Sequence, residues 1–192
     1  MTTRNILSRT INIPVSLVLL VILSPILILI AIAIKITSDG PAIHWSHRIG
    51  KNNKSFLMPK FRSMLTSTPQ LATDLLPSSE QFITPVGAFL RRTSLDELPQ
   101  IWSILTGSMN FVGPRPALFN QNDLINKRTQ LNVHSLKPGL TGWAQINGRD
   151  EISLEQKVQY DLEYLRQQSL IFDVRILCLT FIKVVYRDNI RH

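Results

Sequence analysis

The sharpest candidate for chemistry in this chain is a pair of adjacent carboxylates, Asp96 and Glu97, in the segment Ser94-Leu95-Asp96-Glu97-Leu98-Pro99-Gln100. A carboxylate at the start of a helix is held ionised by the helix dipole and by nearby amides. Such a group can serve as a nucleophile or as a magnesium ligand. A structural interpretation is also open, because Ser94 and Glu97 have the spacing of a capping box. The segment alone predicts a helix start and does not decide between a chemical role and a capping role for the two carboxylates.

Several basic residues lie beside small turns, where they are candidates for binding phosphate. The donor fork of arginine matches phosphate oxygens, so an arginine displayed on rigid backbone is well suited to this role. Arg115 lies between Pro114 and Pro116 and is the clearest case, whereas each of the others alone is commonly a solvated surface charge. The candidates are Lys60, Arg62, Arg91, Arg92, Arg115 and Arg149.

A third candidate segment is rich in glycine and runs from Pro138 to Asp150. Glycine permits a tight path and a close approach of the backbone to a ligand. Trp143, Gln145 and Asn147 then offer stacking and hydrogen bonds to a base or a sugar. The alternative is a structural turn that buries the tryptophan. We expect residues 138–150 to form a loop in either case.

The elements that must position these residues begin with an apolar run, Ile11 to Ile36, which carries no charge before Lys35. About 20 apolar residues suffice to span a bilayer. The length of the run, its two prolines and the lack of a small-residue cleavage site argue against a cleaved signal peptide. A second apolar stretch, Leu170 to Tyr186, is interrupted by charge. It predicts a core helix or a helix in the membrane interface.

The dipeptide Ser24-Pro25 breaks the first run near its middle. Proline removes a backbone donor and clashes with the preceding turn, so we expect a bend there. A kinked spanning helix is one interpretation, and a re-entrant helix that returns to the same side is the other. Positive charge tends to remain cytoplasmic. It flanks both ends of the run and thereby favours the re-entrant form, at Arg4, Arg9, Lys35, Arg48, Lys51 and Lys54.

Composition narrows the classes of function. The 192 residues carry a net charge of +8, which suits anionic membranes or phosphorylated ligands. The chain has no nucleic-acid recognition motif, and we expect no nucleic-acid partner. The single cysteine, Cys178, excludes an internal disulfide, and the scattered histidines provide no zinc spacing. We predict a membrane element over residues 1–38 and one catalytic domain over 39–192.

Within that domain the patterns predict a mixed, mostly helical α/β fold. Short strands are expected at 42–49 and 56–61, around a turn at 50–54. Residues 66–85 predict a loop with a short helix, residues 95–105 a helix, and residues 107–117 a loop. Further helices are expected at 123–131, after a Ser153–Gln156 capping box, and at 170–187. The buried stripe of the penultimate helix is predicted from Leu154, Val158, Leu162 and Leu165.

Four short sequence motifs of this chain together resemble the bacterial sugar transferase family of monotopic phosphoglycosyl transferases. They are KFRSM (60–64), SLDELPQ (94–100), GPRP (113–116) and PGLTGWAQINGR (138–149). Their order and spacing are as in the family, and the resemblance extends from about Arg9 to Arg187. The chain resembles the minimal form, since it shows none of the additional N-terminal spanning helices of larger members.

The resemblance implies transfer of a sugar 1-phosphate from a UDP-sugar to polyprenyl phosphate, with a magnesium ion, at the cytoplasmic face of the bacterial inner membrane. It makes Asp96 the nucleophile that attacks the β-phosphate, with Glu97 as its partner, and implies that both carboxylates hold the magnesium. Ser24 and Pro25 match the family's re-entrant break. An N-acetylated amino sugar is expected from family habit. The residues on motif positions suited to phosphate or substrate are Lys60, Arg62, Arg115, Gln145, Asn147 and Arg149.

The chain departs from the family's pattern at two places. Asn12 stands where members often have aspartate near the membrane entry, and Ser46-His47 precede Arg48 where a glutamine is common. These changes affect local packing or substrate detail and leave the carboxylate pair intact. Two other functions stay open: a membrane-anchored nucleotide-sugar hydrolase, and a catalytically silent scaffold for glycan assembly.

Overall fold

The structure is a computed structural model that describes residues 3–69, 79–148 and 152–185. Its helices are α1 (Thr3–Thr37), α2 (Pro85–Thr93), α3 (Ile101–Leu105), α4 (Asn122–Gln130), α5 (Trp143–Ile146), α6 (Leu154–Gln167) and α7 (Leu170–Val185). Its strands are β1 (Ile43–Ile49), β2 (Ser55–Phe61), β3 (Asn110–Val112), β4 (Ala117–Leu118) and β5 (Gly139–Thr141). Short 3-10 segments cover Lys51–Asn53, Ser79–Phe82, Leu95–Gln100 and Val133–Ser135. The mixed, mostly helical fold class is confirmed.

The β1–β2 hairpin forms the centre of the small antiparallel sheet. Its register places His44 opposite Lys60 and Arg48 opposite Phe56, so the even-numbered residues of both strands share one face. Strand β4 pairs with the other edge of β1, and β3 pairs in parallel with β5. The hairpin and its turn are as predicted from the alternating pattern.

Helix α1 continues through the Ser24-Pro25 dipeptide. Proline has no N–H to bond the carbonyl four residues earlier, which here belongs to Val21. The Ser24 hydroxyl donates to this carbonyl at 2.7 Å. Among the described residues, the segment Thr10–Thr37 is long and apolar enough to cross a membrane, by length and composition. Most of its large apolar side chains are exposed, so much of its surface suits lipid.

Both ends of the apolar run nevertheless contact the globular part of the molecule. Near the C-terminal end, Ile34 is 1% exposed and packs with Phe61 and Leu90. Near the N-terminal end, the Asn12 side-chain amide donates to Asn110 Oδ1 at 3.0 Å. The membrane element predicted over residues 1–38 therefore shares its core with the domain predicted to follow it.

The last two helices, α6 and α7, pack against α5, the short helix that follows β5. Helix α6 begins at the predicted capping box, with Ser153 and Gln156 bonded reciprocally. Helix α7 buries Phe172 and Ile176 against the domain and exposes Ile171 and Phe181, which are 83% and 70% accessible. The core role predicted for α7 is confirmed by its buried face, and its position in the membrane interface stays a prediction that the apolar outer face agrees with.

Candidate active site

The carboxylate pair lies in the 3-10 segment Leu95–Gln100, directly after α2. Ser94 separates the two elements with a left-handed backbone, φ 57°, and its side chain makes no capping hydrogen bond. The capping-box interpretation of Ser94 and Glu97, one of the two left open by the sequence, is therefore wrong. A serine caps a helix from an extended backbone, which presents its oxygen to the free amides, and Ser94 lacks that conformation. The Glu97 carboxylate is left for other partners.

Those partners are two basic residues from other elements. Lys60, near the end of β2, brings its Nζ within 3.0 Å of Glu97 Oε1 and 3.9 Å of Asp96 Oδ2. Arg115, from the loop between β3 and β4, brings Nη2 within 2.8 Å of the same Glu97 oxygen. Its Nη1 donates to Glu97 Oε2 at 3.5 Å. Four of the predicted site residues are thus brought together, and Glu97 bridges the two cations.

Burial dominates the electrostatics of this cluster. It raises the pKa of Asp96, an effect that the charge of Lys60 opposes and that of Glu97 reinforces. Burial also lowers the pKa of Lys60, against the attraction of Glu97. Both groups are therefore displaced toward neutrality from their ordinary values. A carboxylate and an amine in such an environment are typical of functional sites.

Sequence reasoning missed two basic residues on β1 that line the same sheet face as Lys60. Burial, and then the positive charge of Arg115, lowers the pKa of Arg48 to about 10. Burial, and then Arg48 and Lys60, lowers the pKa of His44. The signal was the alternation within β1, which places both side chains on the face of Lys60 once the hairpin register is known.

The side chain of Arg62 contacts the end of α1, whereas that of nearby Lys60 contacts the carboxylate pair. It is 5% exposed, and its guanidinium donates to the Ser38 carbonyl at 2.8 Å, to Ser38 Oγ at 2.7 Å and to the Asp39 carbonyl. These contacts hold the end of α1 against the sheet. The phosphate-binding role predicted for Arg62 stays a prediction, and this arrangement does not support it.

The glycine-rich segment folds as strand β5 and the short helix α5 rather than as the predicted loop. Trp143 Nε1 donates to Glu163 Oε2 at 2.9 Å, and its ring centroid lies 5.0 Å from that of Phe172. The Asn147 amide donates to the Trp143 carbonyl at 2.8 Å. These contacts favour the structural interpretation of the tryptophan. Gln145 has both side-chain polar atoms buried without a hydrogen-bond partner, so it stays a candidate for ligand binding.

Arg149, the remaining predicted phosphate ligand, lies outside the described residues. Its role stays a prediction from the sequence.

Asp96 and Glu97 can hold a magnesium ion only if the substrate and water supply the remaining ligands. In the described part of the chain, no group of three or more His, Cys, Asp or Glu side chains converges on a metal site. Magnesium is commonly held by one or two carboxylates together with substrate phosphates. Two adjacent carboxylates provide that minimal protein contribution, with the remaining oxygens left to the substrate and water.

Comparison with known proteins decides the family. The family model described as "Bacterial sugar transferase" matches residues 3–187, which is nearly the whole chain. The chain belongs to the bacterial sugar transferase family. The carboxylate pair, its basic partners and the glycine-rich segment all lie within the matched region.

Several of the similar proteins are named for transfer to undecaprenyl phosphate. A UDP-glucose:undecaprenyl-phosphate glucose-1-phosphate transferase of Escherichia coli is 41% identical over 93% of this chain and 40% of its own length. An undecaprenyl-phosphate galactose phosphotransferase of Salmonella typhimurium is 35% identical over 95% of this chain and 41% of its own length. The chain therefore spans about two fifths of these relatives.

A third relative has a length similar to that of this chain. The sugar transferase EpsL of Bacillus subtilis, named as uncharacterized, is 37% identical over 97% of this chain and 91% of its own length.

Proposed function

We propose that this bacterial sugar transferase moves a sugar 1-phosphate from a UDP-sugar to a polyprenyl phosphate at the inner membrane. The observation that carries the proposal is the carboxylate pair, with buried Asp96 near Lys60 and with half-buried Glu97 between Lys60 and Arg115. A nucleophile beside phosphate-binding cations is the arrangement that a double-displacement transfer requires. The names of the relatives agree with this class of reaction.

In the proposed mechanism, an Asp96 carboxylate oxygen attacks the β-phosphorus of the donor. A new bond forms between this oxygen and phosphorus, and the bond from phosphorus to the bridging oxygen breaks. UMP leaves with the electron pair, and an acyl phosphate that carries the sugar stays on Asp96. An oxygen of polyprenyl phosphate then attacks the same phosphorus and releases the carboxylate. The products are polyprenyl diphosphate sugar and UMP.

The cations around the pair prepare the site for a diphosphate. Four cations, Lys60, Arg48, Arg115 and Arg91, act on the two carboxylates, which leaves an excess of two positive charges when all six groups are ionised. That excess attracts an anionic donor. Glu97 fixes the two cations that contact it, and so orients them before the donor binds. Bound magnesium would hold diphosphate oxygens beside Asp96 and Glu97 and offset their charge.

The experiment that tests this function measures UMP release from UDP-sugars with and without undecaprenyl phosphate. A transferase requires the lipid for continued turnover, whereas a hydrolase releases UMP without it. A silent scaffold releases none from any donor. Donors in the panel should include UDP-glucose, UDP-galactose and their N-acetylated amino forms. The glucose and galactose in the names of the relatives do not support our expectation of an amino sugar.

The pH dependence of the transfer should reflect the displaced ionisation of Asp96 and Lys60. Asp96 must be ionised to attack, and burial raises its pKa. Activity should therefore fall on the acid side at a higher pH than an exposed aspartate would impose. Lys60 must be charged to attract phosphate, and burial lowers its pKa. Activity should therefore be lost on the alkaline side at a pH below the usual pKa range of lysine.

The measurement for this prediction is kcat/KM against pH, which reports the ionisations of the free enzyme. Lys60→Arg should move the alkaline limb upward, because arginine stays charged. An alkaline limb that the substitution leaves in place would assign it to another group.

Arg115→Ala should lower kcat/KM at least tenfold, about 1.4 kcal/mol of transition-state stabilisation. Arg115 contacts Glu97 and is in position to bind the donor phosphates. Arg92→Ala is the matched control, since Arg92 is exposed on α2 and should have little effect. The melting temperature should change little in either variant. A large loss of melting temperature in Arg115→Ala would indicate a mainly structural role. We expect the same activity loss for Arg149→Ala from its motif position.

Residues 14–36 are proposed to enter and leave the membrane on the cytoplasmic side. Two arms of about eleven residues on either side of Ser24-Pro25 each reach roughly 16 Å, near half the hydrocarbon core. A spanning helix would instead carry Arg4, Arg9 and the amino terminus across the bilayer, against the positive-inside tendency. The contacts of both Asn12 and Ile34 with the globular part also support a return to the same side.

A single cysteine tests this topology in intact cells. Thr3→Cys in a Cys178→Ser background should resist an impermeant thiol reagent added from outside and react after the cells are opened. The Cys178→Ser parent is the control for background labelling. Labelling of Thr3→Cys in intact cells would establish a spanning helix and contradict the re-entrant proposal.

A further inference from the structure

The loop that carries Arg115 has few hydrogen-bond donors of its own. Pro114 and Pro116 both lack an N–H, so the loop depends on outside groups to fix its carbonyls. Strand β5 holds the first part, with Gly113 N–H donating to the Thr141 carbonyl at 2.9 Å and Gly139 N–H donating to the Pro114 carbonyl at 3.0 Å. The next two carbonyls, of Arg115 and Pro116, are held by side chains instead.

Arg128, on α4, holds the first of these carbonyls. Its Nη1 donates to the Arg115 carbonyl at 2.8 Å. Its Nε and Nη2 donate to Asp161 Oδ2 at 2.9 and 2.6 Å. Arg128 is 7% exposed and Asp161 is 1% exposed. The carboxylate on α6 therefore fixes the plane of the guanidinium while its free edge holds the loop.

Arg48, on β1, holds the second carbonyl. Its Nη1 donates to the Pro116 carbonyl at 3.2 Å, and its Nε donates to Ser46 Oγ at 3.0 Å. The planar arginine fork can bind a partner and a carbonyl at the same time, which lysine cannot reproduce. Two arginines from different elements, β1 and α4, thus hold the consecutive carbonyls of Arg115 and Pro116 in the loop whose Arg115 side chain reaches Glu97.

We propose that Arg48 and Arg128 are positioning residues for the transfer, and that they act through Arg115. The proposal rests on the proposed function, because it assumes that Arg115 binds the donor phosphates. With both carbonyls held, the Arg115 side chain leaves the backbone in one direction and stays aligned for phosphate. If either hydrogen bond is broken, the rigid loop that carries Arg115 loses an anchor and can shift relative to Glu97, and the side chain is no longer aligned.

A double-mutant cycle separates this role from a general contribution to folding. We compare Arg128→Lys and Arg48→Lys in the native enzyme and in the Arg115→Ala variant, and measure kcat/KM for UMP release in the presence of polyprenyl phosphate. With Arg115 present, kcat/KM of each lysine variant should be about tenfold lower than that of the native enzyme. Each should lose less than about twofold once Arg115 is alanine, because nothing is left to align. Lys127→Gln is the control, since Lys127 adjoins Arg128 but forms an exposed ion pair with Glu155.

Equal losses in both backgrounds would overturn the proposal, since the arginines would then act independently of Arg115. Melting temperatures accompany every measurement. If Arg128→Lys does not fold, Arg48→Lys decides alone, because it leaves the ion pair with Asp161 intact. If neither folds, the two arginines are structural and the proposal fails. Failure of the proposed function is distinct, because the native enzyme would then release no UMP in a lipid-dependent manner.

Discussion

Asp96→Asn is expected to abolish turnover, with a loss on the order of 10⁴-fold or more, because the amide cannot form the acyl phosphate. The native protein should acquire the mass of a sugar phosphate when it is incubated with donor alone, and the adduct should map to Asp96. Mass spectrometry of the intact protein and of its peptides measures this directly. An adduct on another residue, or full activity in the variant, would remove Asp96 from the mechanism.

The same substitution should leave the fold intact, and the sign of the pKa shift gives the reason. Burial raises the pKa of Asp96, so the folded state favours the protonated carboxyl. That contribution to stability is complete below the unfolded pKa and is lost as pH rises through the folded pKa. At neutral pH the ionised carboxylate therefore costs stability that a neutral asparagine does not. The melting temperature of Asp96→Asn at neutral pH should equal or exceed that of the native protein.

Removal of divalent ions is the second change expected to stop turnover. A transferred phosphoryl group and its diphosphate donor carry negative charge that two carboxylates alone would repel, and the proposed oxygen-bound magnesium would offset that charge. Excess EDTA should abolish UMP release, and magnesium added beyond the chelator should restore it. Unchanged rates in EDTA would contradict a metal requirement.

The fold itself should tolerate this removal. Lys60 and Arg115 already neutralise Glu97 through direct contacts, so the cluster does not depend on a metal for its charge balance. The melting temperature should stay the same in EDTA and in magnesium when no donor is present. A metal-dependent melting temperature without donor would instead indicate an ion bound by the protein alone.

Some elements can be predicted from the sequence because their patterns are local. The β1–β2 hairpin follows from alternation around a polar turn, and α6 follows from the Ser153–Gln156 capping box. The buried stripe of α6 follows only in part. Val158 is buried as expected, but Asp161 and Tyr164 complete the stripe. An aspartate enters a core only with a partner, here Arg128, and that partner lies 33 residues away.

Other elements cannot be predicted in this way because distant pairing creates them. The composition of residues 107–117 and 138–150 predicts loops, since glycine and proline dominate it. Strands β3 and β5 are three residues each and exist through their parallel pairing with one another. No alternating pattern can develop over so short a length. The helix start at Leu95–Gln100 is placed correctly, but its capping depends on the backbone of Ser94, which composition does not reveal.

For the same reasons, only some residues of the candidate site can be predicted from the sequence. The family motifs identify Lys60, Asp96, Glu97 and Arg115, and the structure brings these four together. Spacing cannot separate Lys60 from Arg62, because the strand ends between them and Arg62 turns to the end of α1. Arg48 enters the site only through the hairpin register.

The contact of Ile34 with Phe61 and Leu90 has a practical consequence for producing this protein. Deletion of the predicted membrane element, residues 1–38, is an obvious way to seek a soluble fragment. Here the deletion would uncover an apolar cluster that α1 closes, and it would remove the Ser38 groups that hold the buried guanidinium of Arg62. The outer face of α7 would stay apolar as well. Detergent extraction of the intact chain is therefore the better preparation, and a shortened fragment should aggregate.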